Sequence, residues 1–234
     1  MIATKRTHDE FYLKEDRSQQ PKEYFKFMVQ QTRQRKPQPA SILDIGCASG
    51  DFLHYLATCF PEAELHGVDI LESLVKASEA KVPGTTCYVG DINALDFKPR
   101  QQYDVVYMPG VHSIFDSCEH WVRNMSSLIA PGGIGLLFGL FNPEAYDVLV
   151  KVRKSGEEGA FESGWNCFSC ETIGREFESH GHRVEFIRWE VPLDIPHNDA
   201  DPLRSFTTPM PGGRRLTTNA TRIIHDFYCA VITR

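Results

Sequence analysis

The stretch LDIGCASG, residues 43–50, constrains the fold of this chain more than any other feature of its sequence. It joins an apolar, strand-like run to an acidic residue, Asp44, and to a loop with glycines at Gly46 and Gly50. A helix-compatible run follows from Asp51 to Thr58. Glycine lets a backbone turn tightly and approach a ligand closely, and doubly wound α/β sheets hold nucleoside-like cofactors at turns of this kind. The stretch therefore predicts a ligand-binding turn at the carboxyl edge of a parallel sheet.

The spacing of these glycines argues against a nicotinamide cofactor. The dinucleotide fingerprint places a second glycine two residues after the first. Here that place is taken by Ala48, and Cys47 precedes it. We therefore do not expect a dehydrogenase.

Strand-like and helical patterns alternate from residue 41 to the end of the chain. Continuous apolar runs of this kind are typical of strands that are buried on both faces of a parallel sheet, and apolar residues at helical spacing lie between them. The predicted strands are 41–46, 64–70, 85–92, 103–108, 133–141, 184–191 and 223–233. The predicted helices are 51–58, 71–81, 119–130 and a helix capped by Ser169 that ends before Gly181.

Three further segments lie outside this alternation. Residues 1–40 contain a short helix that Pro37 and Pro39 end, and we expect this segment to form an N-terminal lid over the ligand edge. Residues 142–166 are polar and mixed, and we expect an insertion there with one helix near Glu144 to Arg153. Residues 192–222 hold five prolines, which predicts a long loop or arm. The length of 234 residues is typical of one domain that contains such insertions.

Composition excludes several classes of partner. A formal charge of −6 argues against nucleic acid, because binding to phosphates needs clustered Lys and Arg side chains. No apolar run approaches the roughly 20 residues that a membrane span needs, and the N-terminus is too polar for a signal peptide. The seven cysteines are an odd number with irregular spacing, which indicates reduced thiols. We expect a cytoplasmic protein that binds neither nucleic acid nor membrane.

The order of the motifs resembles that of class I S-adenosylmethionine-dependent methyltransferases. LDIGCASG resembles the first motif of the family, GVDI at 67–70 the second, GDI at 90–92 the third, YDVVYMPGVH at 103–112 the fourth and APGGIGLLF at 130–138 the fifth. LFNPEAYDVLVKVR at 140–153 and GWNCFS at 164–169 also resemble bacterial small-molecule methyltransferases, including ones associated with surface-polysaccharide pathways. The resemblance implies a single methyltransferase domain over residues 1–234. Its expected fold is a Rossmann-like, doubly wound α/β sheet of seven strands, mostly parallel with an antiparallel last strand.

The resemblance implies that S-adenosylmethionine is the cofactor and that the first motif holds its amino acid end. Asp44 and the backbone of Gly46, Cys47 and Gly50 match the family residues that bind this end and curve around the ribose. Asp44 offers an acceptor beside the turn, and the glycines admit the ligand.

The nucleoside end of the cofactor would be bound at the next strand ends. Asp69 matches the carboxylate that accepts the ribose hydroxyls, and Ile70 would pack against the adenine. Asp91 and Ile92 match the pair that fixes the adenine amino group and edge. Met108 ends the fourth strand, where the resemblance implies that the methyl group faces the acceptor.

A hydroxyl acceptor needs a base, and histidine is the commonest such group near neutral pH. His112 follows the fourth strand at the ligand edge and is the first candidate. His225 is the second, because the antiparallel last strand of the family would begin at that same edge. A divalent metal, which can lower the pKa of a hydroxyl, is the less favoured alternative. Its candidate ligands are His112, Asp116, His197 and His225.

The substrate class is predicted from residue types outside the family motifs. Trp and Asn suit the face and hydroxyls of a sugar, and Arg suits a carboxylate. The candidate substrate residues are Asn142, Arg153, Trp165, Asn166 and Arg204. We therefore predict methyl transfer to a hydroxyl of a small polar acceptor such as a sugar or uronic acid. Methylation of a nitrogen or carboxyl group of another metabolite stays open, as does a non-catalytic cofactor-binding partner protein, and the arm could serve a homodimer.

Overall fold

The computed structural model describes residues 4–5 and 9–234 of the chain. The helices are α1 (Asp9–Lys14), α2 (Glu23–Arg35), α3 (Asp51–Cys59), α4 (Glu72–Lys81), α5 (Glu119–Leu128) and α6 (Cys170–Ser179). The strands are β1 (Thr4–Lys5), β2 (Ser41–Ile45), β3 (Glu64–Asp69), β4 (Thr86–Val89), β5 (Tyr103–Pro109), β6 (Ile129–Asn142), β7 (Lys151–Val152), β8 (Glu162–Ser163), β9 (Phe168–Ser169), β10 (Arg183–Trp189), β11 (Phe206–Pro209), β12 (Arg215–Thr218) and β13 (Phe227–Thr233). Short 3₁₀ turns lie at His112–Ile114 and Pro211–Gly213. No helix in this part of the chain has the length and apolar character that crossing a membrane requires.

The central sheet confirms the predicted doubly wound architecture. Its strands follow the order β10-β13-β6-β5-β2-β3-β4, and the short strand β9 pairs in addition with the end of β6. The pairs between β2, β3, β4, β5 and β6 are parallel, whereas β13 runs antiparallel to both of its neighbours. The chain proceeds outward from β2 in one direction and from β5 in the other. A crevice therefore opens between the carboxyl ends of β2 and β5, where ligands bind in folds of this type.

The apolar strand residues alternate between two cores, one on each face of the sheet. Along β5, Val106 and Met108 pack into the core beneath α5 and α6, while Val105 and Tyr107 pack into the core beneath α2 and α3. This alternation follows from the two-residue period of a strand. Because helices cover both faces, the strands read as continuous apolar runs rather than as an alternating pattern.

The predicted N-terminal helix is present as α2. Phe25, Met28 and Val29 are buried against the sheet, and the hydroxyl groups of Thr32 and Tyr107 form a buried hydrogen bond. Residues 1–3 and 6–8 of the predicted lid lie outside the described residues. Strand β1 pairs with β8, so the N-terminal segment contacts the 142–166 insertion.

The helix predicted near Glu144 to Arg153 is wrong. This segment forms a loop, an isolated bridge between Val148 and Cys167, and strand β7, which pairs with β8. Val148, Val150 and Val152 recur at every second residue, a β-branched pattern that favours an extended backbone. Pairing with β8, in the second half of the insertion, therefore outweighs the local preference for a helix.

The 192–222 segment is more ordered than the predicted loop or arm. Strands β11 and β12 form an antiparallel hairpin within it. The hairpin is fixed to the preceding chain by hydrogen bonds between Thr207 and Ile195. Asn219 is fully buried and donates from Nδ2 to the carbonyl of Leu203 at 2.9 Å. The last strand begins at Phe227 rather than at residue 223. The chain before it folds back on the hairpin, where the N–H of His225 donates to the carbonyl of Thr217 at 2.8 Å.

We predict that Gly67→Ala destabilises the fold. A Cβ atom at Gly67, in the middle of β3, would lie 2.8 Å from Cys47 Sγ, 2.9 Å from Cys87 Sγ and 2.9 Å from Leu53 Cδ1. Extra volume in a packed core typically costs about 1–3 kcal/mol, so the free energy of unfolding in urea should fall by that amount. Gly159→Ala is the matched control, because no atom lies within 4 Å of the added methyl group. Equal stability of the two variants would contradict the close packing of β3 under the glycine loop.

Candidate functional site

A cavity of about 240 Å³ opens at the crevice between β2 and β5. Its floor is formed by the glycine loop, and its sides by the ends of the neighbouring strands and by the N-terminal segment. The lining residues are 44–49, 51–52, Val68 to Leu71, Leu74, Gly90 to Ile92, Pro109 to Val111, Ile114 and Phe115, together with Tyr12, Lys22, Tyr24, Phe25. The cavity therefore lies where the sequence predicts the ligand.

The glycine loop needs its glycines for steric reasons. Gly46 has φ of +76°, and a Cβ atom there would lie 2.3 Å from Val111 Cγ2. Gly50 has φ of +85° and packs against Ser78. The N–H of Gly46 donates to the carbonyl of Val68 at 2.7 Å, which fixes the loop over the end of β3. Side chains at either glycine would displace this turn, because L residues rarely adopt the left-handed region.

Asp44 supplies a buried carboxylate at the floor of the cavity. Its side chain is 1% exposed, and Oδ1 has no hydrogen-bond partner among the described residues. Burial raises the pKa of Asp44 well above its usual value, and the charges of Cys87 and Asp69 raise it further. A cationic group in the cavity would offset this desolvation and pair with the orphaned oxygen. The site thus favours a positively charged ligand.

Two further acids line the cavity at the ends of β3 and β4. Asp69 accepts the N–H of Leu71 on Oδ1 and the N–H of Ala48 on Oδ2, each at 3.0 Å. Burial raises the pKa of Asp69, although its backbone hydrogen bonds oppose the shift. Asp91 accepts the N–H of Asn93 at 2.9 Å. A carboxylate has about four lone-pair sites, so Asp69 keeps acceptor capacity toward a ligand.

The two isoleucines beside these acids differ in exposure. Ile70 is 42% exposed at the rim of the cavity, whereas Ile92 is 3% exposed within its wall. An exposed isoleucine beside a lining carboxylate offers an apolar surface to a flat ligand ring. Cys47 also lines the cavity, between Gly46 and Ala48.

Two predicted cofactor residues do not line the cavity. Contrary to the expectation from sequence, the Met108 side chain is fully buried in the core beneath α5, because strand alternation turns it away from the crevice. Pro109 and Gly110 line the cavity instead. Gly50 lies behind the loop, against Ser78, and its contribution is to the turn rather than to the lining.

His112 also differs from the expectation from sequence, because it lies behind the cavity wall. Its ring is fully buried and stacks on Phe141, with centroids 4.6 Å apart and planes 8° apart. Nε2 lies 3.1 Å from the carbonyl oxygen of Leu140, which places the proton on Nε2. Nδ1 has no partner among the described residues, and burial lowers the pKa of His112 to about 4. The neighbouring residues Val111 and Ile114 line the cavity, but this ring does not.

His225 is buried at a different place. Its Nδ1 lies 2.9 Å from Ser205 Oγ, and Nε2 has no partner among the described residues. Burial lowers the pKa of His225 to about 4, so the ring is neutral at pH 7. Ser205 in turn lines a second cavity, which connects this histidine to a ligand-sized space.

The second cavity has a volume of about 150 Å³ and adjoins the first, since Tyr12 lines both. Its lining residues are Phe11, Tyr12, Trp165, Asp201, Leu203, Arg204 and Ser205. Two predicted substrate residues, Trp165 and Arg204, therefore meet here although they lie far apart in the sequence. The segments that bring them together are α1, the end of the insertion and the start of the 192–222 segment.

The other three predicted substrate residues lie elsewhere. Asn166 is fully buried, and its amide bonds the N–H of Val150 and the carbonyl of Phe115, both at 2.7 Å. Asn142 donates to the carbonyl of Tyr146, within its own loop. Arg153 is exposed and stacks on Phe161 at 4.7 Å. Their hydrogen bonds and contacts hold the insertion together, and none of them lines either cavity.

The four candidate ligands for a metal site do not converge. His112 and His225 have the separate buried environments described above, and His197 lies near the surface beside Asp199. Asp116 bonds Lys151 and Ser163. Within residues 4–5 and 9–234, no group of three or more His, Cys, Asp or Glu side chains could hold a metal ion. The donor set therefore gives no support to a metal-assisted reaction, and metal dependence stays a question for a chelator assay.

Sequence reasoning missed several lining residues. Tyr12, Lys22 and Tyr24 contribute a wall of the first cavity. They belong to the segment that is expected to form a lid, but the sequence does not single out these side chains. Ser205 gave no signal, because a serine in a proline-rich segment is unremarkable. Its contact with His225 depends on the hairpin that returns the chain to that place.

The chain is similar to known methyltransferases. Residues 43–134 match a family model described as a methyltransferase domain. Malonyl-[acyl-carrier protein] O-methyltransferase of Halalkalibacterium halodurans is 29% identical over 119 residues, 49% of this chain and 44% of that enzyme. The dTDP-4-amino-2,3,4,6-tetradeoxy-D-glucose N,N-dimethyltransferase of Saccharopolyspora spinosa is 25% identical over 123 residues, 51% of this chain and 48% of that enzyme. The chain thus spans less than half the length of either curated relative.

A solved structure shares the fold over the whole chain. S-adenosylmethionine-bound CalS10, an amino pentose methyltransferase from Micromonospora echinaspora, matches with a TM-score of 0.60 at 16% identity and full coverage of both chains. At this identity the likeness shows the fold alone. The family match and the methyltransferase relatives support S-adenosylmethionine as the cofactor. The orphaned carboxylate of Asp44 and the glycine loop fit its cationic amino acid end.

We predict that His112 makes stability depend on pH. The folded pKa of about 4 lies below the value of about 6.5 in the unfolded chain, so the unfolded state binds more protons between these values. The contribution of His112 is complete above pH 6.5 and is lost as pH falls toward 4. Between pH 7 and pH 5 the loss should reach about 2 kcal/mol in the free energy of unfolding.

Urea unfolding of His112→Gln over this range tests the prediction. The slope of unfolding free energy against pH should be shallower in the variant, whatever its absolute stability. His120→Gln, a substitution in α5, is the control and should keep the wild-type slope. A wild-type slope in His112→Gln would mean that the folded state does not lower the pKa of His112, so that the ring already takes up its proton between pH 7 and pH 5 in the folded protein.

Proposed function

We propose that this chain, which carries a methyltransferase domain on the class I fold, transfers the methyl group of S-adenosylmethionine to a small polar acceptor. The observation that carries the proposal is the set of three carboxylates, Asp44, Asp69 and Asp91, around one cavity at neighbouring strand ends. S-adenosylmethionine has a cationic ammonium and sulfonium together with two ribose hydroxyls. Its donors and positive charges complement these acids.

Each part of the cavity has a proposed role in holding the cofactor. The turn at Gly46 and Cys47 admits the amino acid end, beside the unpaired oxygen of Asp44. Asp69 accepts from the ribose hydroxyls, and Ile70 covers one face of the adenine. Asp91 and Ile92 recognise the adenine edge. The cofactor, when bound, supplies an electrophilic methyl group on a positively charged sulfur.

The N-terminal segment is proposed to exclude water from the reaction. Methyl transfer is an in-line displacement, so the protein mainly has to align the acceptor with the methyl group. Tyr12, Tyr24 and Phe25 form an aromatic wall of the first cavity, and Tyr24 is fixed by stacking on Phe138 at 4.8 Å. This arrangement supports the role of residues 9–35 as a lid.

A hydroxyl of a sugar or uronic acid is the acceptor group that we favour. His225 is the base supported by the geometry, because Ser205 joins its Nδ1 to the second cavity. The neutral ring can accept a proton through that hydroxyl, although a pKa of about 4 limits its strength. His112 lacks such a connection, since its buried Nδ1 has no described partner and the ring lines neither cavity.

Methylation of a carboxylate is the second candidate, and one observation favours it. Neither His112 nor His225 lines the first cavity. An ionised carboxylate is already a nucleophile at neutral pH and needs no base. One of the relatives is named as an O-methyltransferase of malonyl-[acyl-carrier protein]. The choice between the two acceptor groups therefore depends on whether turnover needs His225.

Calorimetry with S-adenosylmethionine tests the cofactor site. Asp69→Ala and Asp91→Ala each remove a charged acceptor, and a hydrogen bond to a charged group is worth roughly 1.5–3 kcal/mol. Affinity should therefore fall about 10- to 100-fold in each variant. Asp96→Ala, an exposed loop substitution, should bind as the wild type does. Binding of a nicotinamide dinucleotide in place of S-adenosylmethionine would sink the proposal.

His225→Gln distinguishes the two acceptor groups. Sugars, uronic acids, hydroxy acids and dicarboxylates are first screened for methyl acceptance. On a hydroxyl acceptor, kcat of the variant should fall about 10²- to 10⁴-fold, the usual contribution of a general base. On a carboxylate acceptor, kcat should be unchanged. His120→Gln is the matched control, and a large loss in His112→Gln alone would reverse the assignment of the base.

A further inference from the structure

We propose that the second cavity is the acceptor site and that Arg204 binds a carboxylate of the acceptor. The acceptor would then be a small polyhydroxylated acid, such as a uronic acid, rather than a neutral sugar. This inference rests on the proposed function, and it narrows the substrate class of that same enzyme.

Arg204 is held in a state that leaves most of its donors available. Its guanidinium lies 3.9 Å from the ring centroid of Phe11, and Nη2 lies 3.6 Å from Glu15 Oε1. Among the described residues, this ion pair is the closest polar contact of the Arg204 side chain, which donates no hydrogen bond to them. Stacking on an aromatic face directs the five N–H donors outward in the guanidinium plane, where they match a carboxylate in a bidentate pair.

The only acid that contacts the Arg204 guanidinium among the described residues is already shared. Glu15 also pairs with Arg17 at 2.8 Å and with Lys22 at 3.2 Å. Glu15 is therefore shared among three cations and lies farthest from Arg204. An anionic group on the acceptor would give the Arg204 guanidinium a closer partner of opposite charge.

The remaining lining residues suit the body of a sugar acid. Trp165 and Tyr12 supply aromatic surface, and Asp201 and Ser205 supply oxygen atoms that can bond ligand hydroxyls. A cavity of about 150 Å³ has the size of a single small ring rather than of a nucleotide or a peptide. The combination of one cation, aromatic faces and hydroxyl-binding oxygens selects a ring with both hydroxyl and carboxylate groups.

Trp165 has a strained backbone, which is the second independent observation. Its φ of +59° lies in the left-handed region, which bulky residues rarely adopt and which costs on the order of 1–3 kcal/mol. Asn166 holds the residue there, since its N–H donates to the carbonyl of Ser113 at 2.8 Å. Such strain concentrates at ligand clamps, where the surrounding structure enforces it.

A side-chain hydrogen bond of Asn166 links the second cavity to the first. The side-chain amide of Asn166 donates to the carbonyl of Phe115, and Phe115 lines the first cavity. Tyr12 lines both cavities. The acceptor site is therefore attached to the loop after β5, where the cofactor's methyl group is proposed to face the acceptor. Asn166 acts as a positioning residue for Trp165.

Equilibrium binding to the protein, with and without S-adenosylhomocysteine, tests the proposal without turnover. Glucuronate and galacturonate are titrated beside glucose and galactose, with isothermal titration calorimetry as the readout. The uronates should bind about 10- to 100-fold more tightly than the matching hexoses, as expected for a hydrogen-bonded charge pair. Arg204→Met should abolish that difference and leave hexose binding nearly unchanged, whereas Trp165→Phe should weaken both classes.

Two further variants keep the test decisive. Arg204→Lys keeps the charge and loses the bidentate geometry, so its preference for uronates should be intermediate. Arg214→Met, an exposed substitution in the same 192–222 segment, should behave as the wild type does. Equal binding of uronates and hexoses, absence of binding by either, or an unchanged preference in Arg204→Met would overturn the proposal.

The result is separable from the fate of the proposed function. If S-adenosylmethionine binds in calorimetry and the uronates do not bind, the acceptor assignment fails and the methyltransferase proposal stands. If the uronates bind as expected and S-adenosylmethionine does not, the methyltransferase proposal fails. Both proposals are supported together if the protein methylates a uronate and Arg204→Met raises the KM for that uronate while kcat stays unchanged.

Discussion

The turn between β2 and α3 is the constraint on which the rest of the site depends. The chain must leave a buried strand, cross the end of β3 and begin a helix within a few residues. Left-handed conformations at Gly46 and Gly50 make this possible, and the hydrogen bond from the Gly46 N–H to Val68 fixes the turn. Because Val111 packs within contact distance of Gly46, the loop after β5 is positioned by the same turn. One local conformation thus sets the floor and a side of the cavity.

The cavity carries an electrostatic cost in the ligand-free protein that a cation would offset. Burial raises the pKa values of Asp44 and Asp69, and the charge of Asp69 raises the pKa of Asp44 further. Lys22 is the only basic side chain that lines this cavity within the described residues, and it is paired with Glu15. A fold selected for stability alone would not retain an unpaired carboxylate oxygen at this depth. The arrangement is understandable as the binding site of a positively charged ligand.

The first cavity could be predicted from sequence because its determinants are local. A glycine loop and an acid at a strand end are fixed by a few consecutive residues, and parallel strands bring successive ends to one edge. The direction of a side chain after such an edge is less predictable. Beyond β5, the chain turns at Gly110, with φ of +74°, into a 3₁₀ turn that directs His112 into the core. Gly139 admits the ring, because a Cβ atom there would lie 2.3 Å from His112 Cε1. Nothing in the order of residues reveals that contact.

The second cavity depends on contacts between segments that are distant in sequence. Glu15 joins the N-terminal segment to Arg204, and β1 joins it to the insertion through β8. Because no single segment contains the second cavity, no local sequence motif predicts it. The alternating valines at 148–152 likewise indicate a strand only once the pairing of β7 with β8 is known. This division has a functional consequence. Substitutions in the insertion or in the 192–222 segment can alter the second cavity while the glycine loop and the strand-end acids stay intact. The fold therefore separates the cavity that we propose for the methyl donor from the cavity that we propose for the acceptor, where Trp165 and Arg204 lie.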